Sequence, residues 1–457
     1  MIFDPATGPS HAGSDEHNPF KLLQRDAQNY LGAIVAINRI ENADRAVRER
    51  WQNKQLGQLL RHAKARSNFW RRRMPARLAD HAVLAFLPVQ TRGELAAQTA
   101  QEGSLAVADG KSAVASYSST GSTGTPVRVF VRAENAYYNA VRSVAQLFMD
   151  GLGLAENRVE LSPQGNPKKG EPPMRVLTAS SWVGPLRGFC RNGTNKQIVH
   201  RAGVDALIAE LLKSPVGYLV SGSYHVEMLL KHGGVELFRK AGVKLWIHRS
   251  DYRSPDAAGA LRQAGIPSCS NYSASETGPI AFECAHHHGY FHVAHSNVIV
   301  ESDRHTTVSH DGVSLGRLLV THLHSYATPI VRYDIGDFGR LHERCPCGHD
   351  GPTLSHIYGR GKHFLRHPDG SLLPFHVSAE AMLQAAGFKE CRIRQTTVDT
   401  VCVELGGRDA LSEAEQENLK TLMSRVTAPV FKIEVKPVAE IDWSTSPKRL
   451  FFSSSVA

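Results

Sequence analysis

Tyr117-Ser118-Ser119-Thr120-Gly121-Ser122-Thr123-Gly124-Thr125-Pro126, followed by Val127-Arg128-Val129-Phe130-Val131, is the stretch on which the reading of this chain turns. Two glycines let a backbone bend closely around an anion, and the hydroxyl side chains supply donors for its oxygens. It is not a Walker loop, because no Gly-Lys-Ser/Thr follows. A Ser/Thr/Gly run alone is more often a flexible surface loop. The strand-like Val-Arg-Val-Phe-Val behind this one favours a structured hairpin.

Around that stretch the composition is ordinary. The chain has 457 residues, 42% hydrophobic and 21% charged, the profile of a globular protein of more than one domain. No apolar run approaches the roughly 18 residues of a membrane span. The first twenty residues have neither a basic n-region nor an apolar h-region, so a cytoplasmic protein is expected. Residues 1–20 are polar and expected to be disordered. Seven cysteines in a chain this long do not make a disulfide scaffold. The net charge of +10 invites a nucleic-acid reading, yet eleven Lys or Arg and one acid between Arg45 and Arg77 account for all of it. Val47, Trp51, Leu59, Leu60 and Ala63 recur there at helical spacing, so an amphipathic helix with a solvated basic face is expected. No RNA- or DNA-binding motif accompanies it.

From about 110 to 340, short apolar stretches alternate with helical patterns such as 135–149, which reads as α/β layers. The last part has its own rhythm. Val401, Val403 and Leu405 alternate, Ser412 and Glu415 form a capping box before Leu419, Leu422 and Val426, and Phe431, Ile433 and Val435 alternate again. A small separate β-α-β unit fits, with a boundary near 359–362.

Three further stretches stand in order behind the hydroxyl-rich run: Asn271-Tyr272-Ser273-Ala274-Ser275-Glu276-Thr277-Gly278, Thr328-Pro329-Ile330-Val331-Arg332-Tyr333-Asp334-Ile335-Gly336-Asp337, and Gly359-Arg360-Gly361-Lys362. The four resemble, in order and spacing, the phosphate loop, the Tyr-Gly-x-Thr-Glu motif, the Arg-Tyr-x-x-Gly-Asp motif and the hinge of the adenylate-forming enzymes. That superfamily contains acyl-CoA synthetases, peptide-synthetase adenylation domains and luciferases. Within it the chain is similar to the phenylacetate-CoA ligase branch. The stretch from Leu59 to Trp70, the segment ending Gly222-Ser223-Tyr224, and Glu283-Cys284 with Cys345-Pro346-Cys347-Gly348 carry that likeness. The resemblance implies an α/β fold: a large N-terminal adenylate-forming domain of layered sheets and helices over 21–360, and a small mobile α+β C-terminal lid over 361–457.

It also implies ATP-dependent activation of a carboxylic acid to acyl-AMP with release of pyrophosphate, then transfer to the thiol of CoA. The residues from Ser119 to Thr125 would hold the departing phosphates, with Ser275 also at the ATP. Glu276 would hold Mg²⁺, a hard cation that prefers carboxylate and phosphate oxygens. Asp337 would accept both ribose hydroxyls, and Arg360 would reach ribose or phosphate. Lys448 would be the catalytic lysine bridging carboxylate and α-phosphate, although Pro447 replaces the usual glycine and fixes φ. Lys362 stands at the hinge about which the lid rotates.

The resemblance further implies a closed structural zinc site of Cys284, His292, Cys345 and Cys347. His286, His287, His288 and His295 compete for the histidine place. Cys190, Cys269, Cys391 and Cys402 read as isolated core residues. Trp182, Tyr224 and Tyr272 would line the acid pocket, so an aryl or similar acid is expected, with Arg249 or His248 to meet a polar substituent. Expected partners are the acid, ATP and CoA, an acyl carrier protein as another acceptor, and a second copy in a homodimer; neither nucleic acid nor membrane is expected. Transfer to an amine or carrier thiol, or a non-catalytic nucleotide-binding relative, stay open as alternatives.

Overall fold

The computed structural model describes residues 25–75, 81–100, 114–118, 127–163, 172–200, 203–249, 253–310, 312–359, 364–375, 377, 379–443, 451–454 and 456. The expectation for residues 1–20 lies outside them. The described chain opens with α1 (Arg25–Glu41), α2 (Arg45–Arg66), α3 (Asn68–Arg73) and, after a 3₁₀ turn at His81–Phe86, α4 (Arg92–Ala100). Trp51, Leu59, Leu60 and Ala63 of α2 are buried, packing with Leu323 and Val331. Val47 is not part of that stripe; it lies 45% exposed. Arg48 also departs from the solvated basic face. It is buried, donating to the carbonyls of Ala43 at 2.9 Å and of Asp350.

The hairpin follows as expected. β1 (Val114–Ser118) and β2 (Arg128–Arg132) pair antiparallel, with Ser118 opposite Arg128, and α5 (Ala133–Met149) continues directly from β2. Next come β3 (Arg158–Pro163), β4 (Met174–Ala179), β5 (Asn195–His200), α6 (Val204–Leu211), β6 (Gly217–Ser221), α7 (Ser223–Lys240), β7 (Val243–Arg249), α8 (Pro255–Gln263), β8 (Ser268–Ala274) and β9 (Gly278–Glu283). The strands β10 (Tyr290–Val293), β11 (Val298–His310), β12 (Val313–His322), β13 (Tyr333–His342) and β14 (Thr353–Gly359) complete this part.

Among the described residues, twelve of these strands join in one sheet, in the order β11-β12-β13-β14-β10-β9-β8-β7-β6-β3-β5-β4. From β5 through β3, β6 and β7 to β8 the neighbours run parallel. Helical crossovers cover such strands on both faces, so β6 is apolar at nearly every position and buried along its length. Ile198, Leu219 and Trp246 face Leu207, Val226 and Leu261 of α6, α7 and α8. From β9 to β14 the pairing is antiparallel, and β10 is held between β9 and β14. Ligands of such sheets bind beyond the carboxyl ends of the parallel strands, and the β8–β9 turn, which carries Glu276, lies at that edge.

The C-terminal part contains the hairpin β15 (Phe364–Arg366) and β16 (Leu372–Pro374), then α9 (Ala379–Ala385), β17 (Glu390–Thr397), β18 (Thr400–Gly406), α10 (Glu413–Val426), β19 (Lys432–Val438) and β20 (Phe452–Ser454). Its sheet, ordered β19-β18-β17-β20, encloses a core containing Ile393, Val401, Val403, Leu405, Leu419 and Met423. The capping box that starts α10 is present: Ser412 Oγ accepts the Glu415 N–H at 3.2 Å, and Glu415 Oε2 accepts the Ser412 N–H at 2.9 Å. Cys391 and Cys402 are core residues, whereas Cys190 and Cys269 are only partly buried. No helix of the described residues is long and apolar enough to cross a membrane.

Candidate active site

Two carboxylates define the site, and each is held by a tyrosine from the other's motif. Tyr272 donates its hydroxyl to Asp337 Oδ2 at 2.7 Å, and Tyr333 donates to Glu276 Oε1 at 3.3 Å. Tyr272 lies four residues before Glu276, and Tyr333 four before Asp337. The exchange thus ties the β8–β9 turn to β13. Burial and the neighbouring Asp337 carboxylate raise the Tyr272 phenol well above its usual range, and burial with Glu276 does the same for Tyr333. Both phenols therefore stay protonated donors at neutral pH.

Glu276 is 6% exposed, on the turn between β8 and β9. The turn needs its glycine: Gly278 has φ +70°, and a Cβ there would lie 2.3 Å from Asn139 Nδ2. Ser275 is exposed beside Glu276. Asp337 lies opposite Gly359 in the β13–β14 ladder, which brings the start of the hinge motif beside the ribose candidate. Arg332 has φ +47° and is a brace: its guanidinium donates to Glu301 at 3.1 Å and to the carbonyls of Ala85 and Leu87. Of the other residues expected at the nucleotide and the hinge, Ser119 to Thr125, Arg360, Lys362 and Lys448 lie outside the described residues. What is described is their frame: the ends of the β1–β2 hairpin, Gly359 and Phe364.

The four expected metal ligands converge. Cys284 follows β9, His292 sits on β10, and Cys345 and Cys347 lie on the loop between β13 and β14. Their ligand atoms all lie within 4.8 Å of one another, with Cys347 Sγ 3.4 Å from His292 Nε2. A tetrahedral zinc sets such atoms roughly 3.5 to 4 Å apart, so the group fits one. Burial pushes the Cys345 thiol up to about 12, reinforced by Cys347 and Cys284, and burial with His349 holds His292 down at about 4, as a neutral imidazole. His286, His287 and His288 are exposed, and His295 lies behind His349, whose ring stacks on His292 at 4.3 Å. Glu283 braces the loop by accepting from Gly289 N at 2.9 Å and from Arg253 at both carboxylate oxygens.

No family model and no curated protein matches this sequence. Solved structures do. A 2-hydroxyisobutyryl-CoA ligase in the postadenylation state with its acyl-AMP is 17% identical, over 88% of this chain and 89% of that one, with a TM-score of 0.63. The same ligase in its thioesterification state, with acyl-AMP and CoA, is 18% identical over 91% and 92%, with a TM-score of 0.56. The chain has the adenylate-forming fold. A GH3.15 acyl acid amido synthetase, 12% identical over 85% of each chain with a TM-score of 0.53, is also similar.

The residues expected to line an acid pocket do not all lie at one end of the sheet. Trp182 donates its indole N–H to the carbonyls of Leu154 at 3.1 Å and Glu156 at 3.0 Å and packs on Tyr218, at the amino end of β6. That is the opposite end of the strand from Tyr224, which opens α7 beyond the carboxyl end. Tyr272 donates its hydroxyl to Asp337. His248 bonds Ser270 Oγ at 2.9 Å through Nδ1, and Arg249 pairs with Glu160. Sequence reasoning missed Arg92, whose Nη1 donates to Glu276 Oε1 at 3.4 Å. The available signal was Thr91-Arg92-Gly93-Glu94, a capping-box spacing that starts α4.

Proposed function

We propose that this chain is an AMP-forming ligase that activates a carboxylic acid to acyl-AMP and passes the acyl group to the thiol of CoA. The observation that carries the proposal is the tyrosine exchange, which ties the Glu276 turn to the strand of Asp337 in an adenylate-forming fold. Asp337 would take the ribose hydroxyls, and the hydroxyl-rich run between β1 and β2 in the sequence the departing pyrophosphate. Glu276 would hold Mg²⁺, which neutralises phosphate charge when bound. Lys448, on a lid formed by residues 361–457 that turns about Lys362, would sit between the two anions in the first half-reaction. In that step a carboxylate oxygen attacks the α-phosphorus and pyrophosphate leaves. In the second the thiol attacks the acyl carbonyl and AMP leaves. Holding two anions in line against fixed cations and donors is the main work of such a site.

Cys284, His292, Cys345 and Cys347 would hold a structural zinc. Three clustered thiols, two of them buried, cannot ionise together without a cation, and a closed four-ligand set leaves no place for a reacting water. Aromatic lining was the reason to expect an aryl acid, and two of its three residues, Trp182 and Tyr272, are engaged elsewhere; the substrate proposed is therefore a carboxylic acid without that restriction. The likeness to an acyl acid amido synthetase supports an amine as the second-choice acceptor. Pyrophosphate release measured over a panel of carboxylic acids, with and without CoA, tests the reading. Acid-dependent release is expected; no release with any acid would refute it.

A further inference from the structure

Arg92 is the first residue of α4, and its surroundings fix where its charge sits. The Thr91 N–H donates to Glu94 Oε2 at 2.8 Å, and the Glu94 N–H donates to Thr91 Oγ1 at 3.2 Å, a reciprocal cap that sets the helix start. Arg73 grips both sides of that start, pairing with Glu94 and donating to the Val89 carbonyl at 3.0 Å. Gln90 bridges to the first residues of β13: its N–H donates to the Arg332 carbonyl at 3.0 Å, and its carbonyl accepts the Asp334 N–H at 2.9 Å. One turn further, Leu95 packs with Val127, Val129 and Tyr333. Val127 directly follows the hydroxyl-rich run. Arg92 is therefore anchored where the phosphate-loop hairpin, the Glu276 turn and Tyr333 meet.

There its guanidinium lies 3.4 Å from Glu276 Oε1. A carboxylate as buried as Glu276 is costly without a counter-charge, and Arg92 is the cation paired with it among the described residues. A metal held by Glu276 would compete with this guanidinium for the carboxylate. We propose that Arg92 is the resident counter-cation of Glu276 in the nucleotide-free chain and moves onto the triphosphate when ATP arrives, freeing Glu276 for the metal. The proposal rests on the adenylation reading. It gives one side chain two opposing effects: it shields Glu276 from a metal that comes alone, and it adds a cation for the nucleotide. A guanidinium suits both tasks, since its planar fork matches carboxylate and phosphate alike.

The opposing signs make the test. In Arg92→Gln, Mn²⁺ binding without nucleotide, read by electron paramagnetic resonance, should tighten, because its competitor at Glu276 is gone. ATP binding without any divalent metal, read by calorimetry, should weaken by about tenfold or more, the scale of one charge-assisted hydrogen bond. Arg92→Lys, which keeps the charge, should recover much of the ATP affinity. A merely structural role would weaken both ligands together, and that result would overturn the proposal, as would Arg92→Gln with both affinities unchanged while the unaltered chain binds ATP. Failure of the unaltered chain to bind ATP at all would instead overturn the adenylation reading, and this proposal with it.

Discussion

Asp337 shows how much rests on one oxygen atom. Its Oδ2 accepts from Tyr272, and a ribose diol needs a carboxylate with acceptor capacity on both oxygens. Asp337→Asn puts an amide donor where an acceptor is required. ATP affinity should fall by the 2 to 3 kcal/mol typical of a lost hydrogen-bonded charge, roughly 30- to 150-fold, by calorimetry; unchanged affinity would contradict the ribose assignment. At this scale the sequence was partly legible. Cys284, Cys345 and Cys347 were legible through the resemblance to the phenylacetate-CoA ligase branch, and His292 was one of five neighbouring histidines that spacing alone could not separate. Thr91 and Glu94 could have marked the start of α4, but the pairing of Arg92 with Glu276 and of Arg253 with Glu283 was not legible. The partners Glu276 and Glu283 lie far along the chain, and no spacing rule links charges brought together only by folding.

Among the elements, β10 is the short strand that joins the cysteine loops. It pairs with β9 on one side and β14 on the other, so the two loops close over its end. A zinc there would staple the segment after Glu276 to the segment after Asp337. Purified chain should carry about one zinc, and strong chelation should lower Tm more than it lowers the intrinsic adenylation rate. Well under one zinc by elemental analysis, with freely titratable cysteines, would contradict the site. Loss of activity at unchanged Tm would point to a metal in the chemistry. Local elements read well from sequence: the β1–β2 hairpin from its alternating valines, and α10 from Ser412 and Glu415. Val47 misled, because helical spacing says which residues share a face and not how far the covered stripe extends. The strand order of the large sheet was beyond reach, since pairing β14 with β10 depends on contacts between segments about sixty residues apart.

For the molecule as a whole, the reading requires two half-reactions that use different residues. Lys448→Ala should lower adenylation about a hundredfold or more, since it removes the cation between two anions. The same variant should keep most thioester formation from a synthetic acyl adenylate. Full adenylation activity in Lys448→Ala would show that Ser446-Pro447-Lys448 is not the catalytic lysine motif.

The central claim, that a carboxylate oxygen of the acid bonds to the α-phosphorus of ATP, is tested most directly by isotope. The acid that gives the strongest pyrophosphate release is labelled with ¹⁸O in its carboxylate, turned over with ATP and CoA, and the nucleotide product is weighed by mass spectrometry. The account predicts AMP carrying one ¹⁸O atom, retained when the thiol displaces the acyl-AMP. Unlabelled AMP, or ADP with the label in inorganic phosphate, would contradict it.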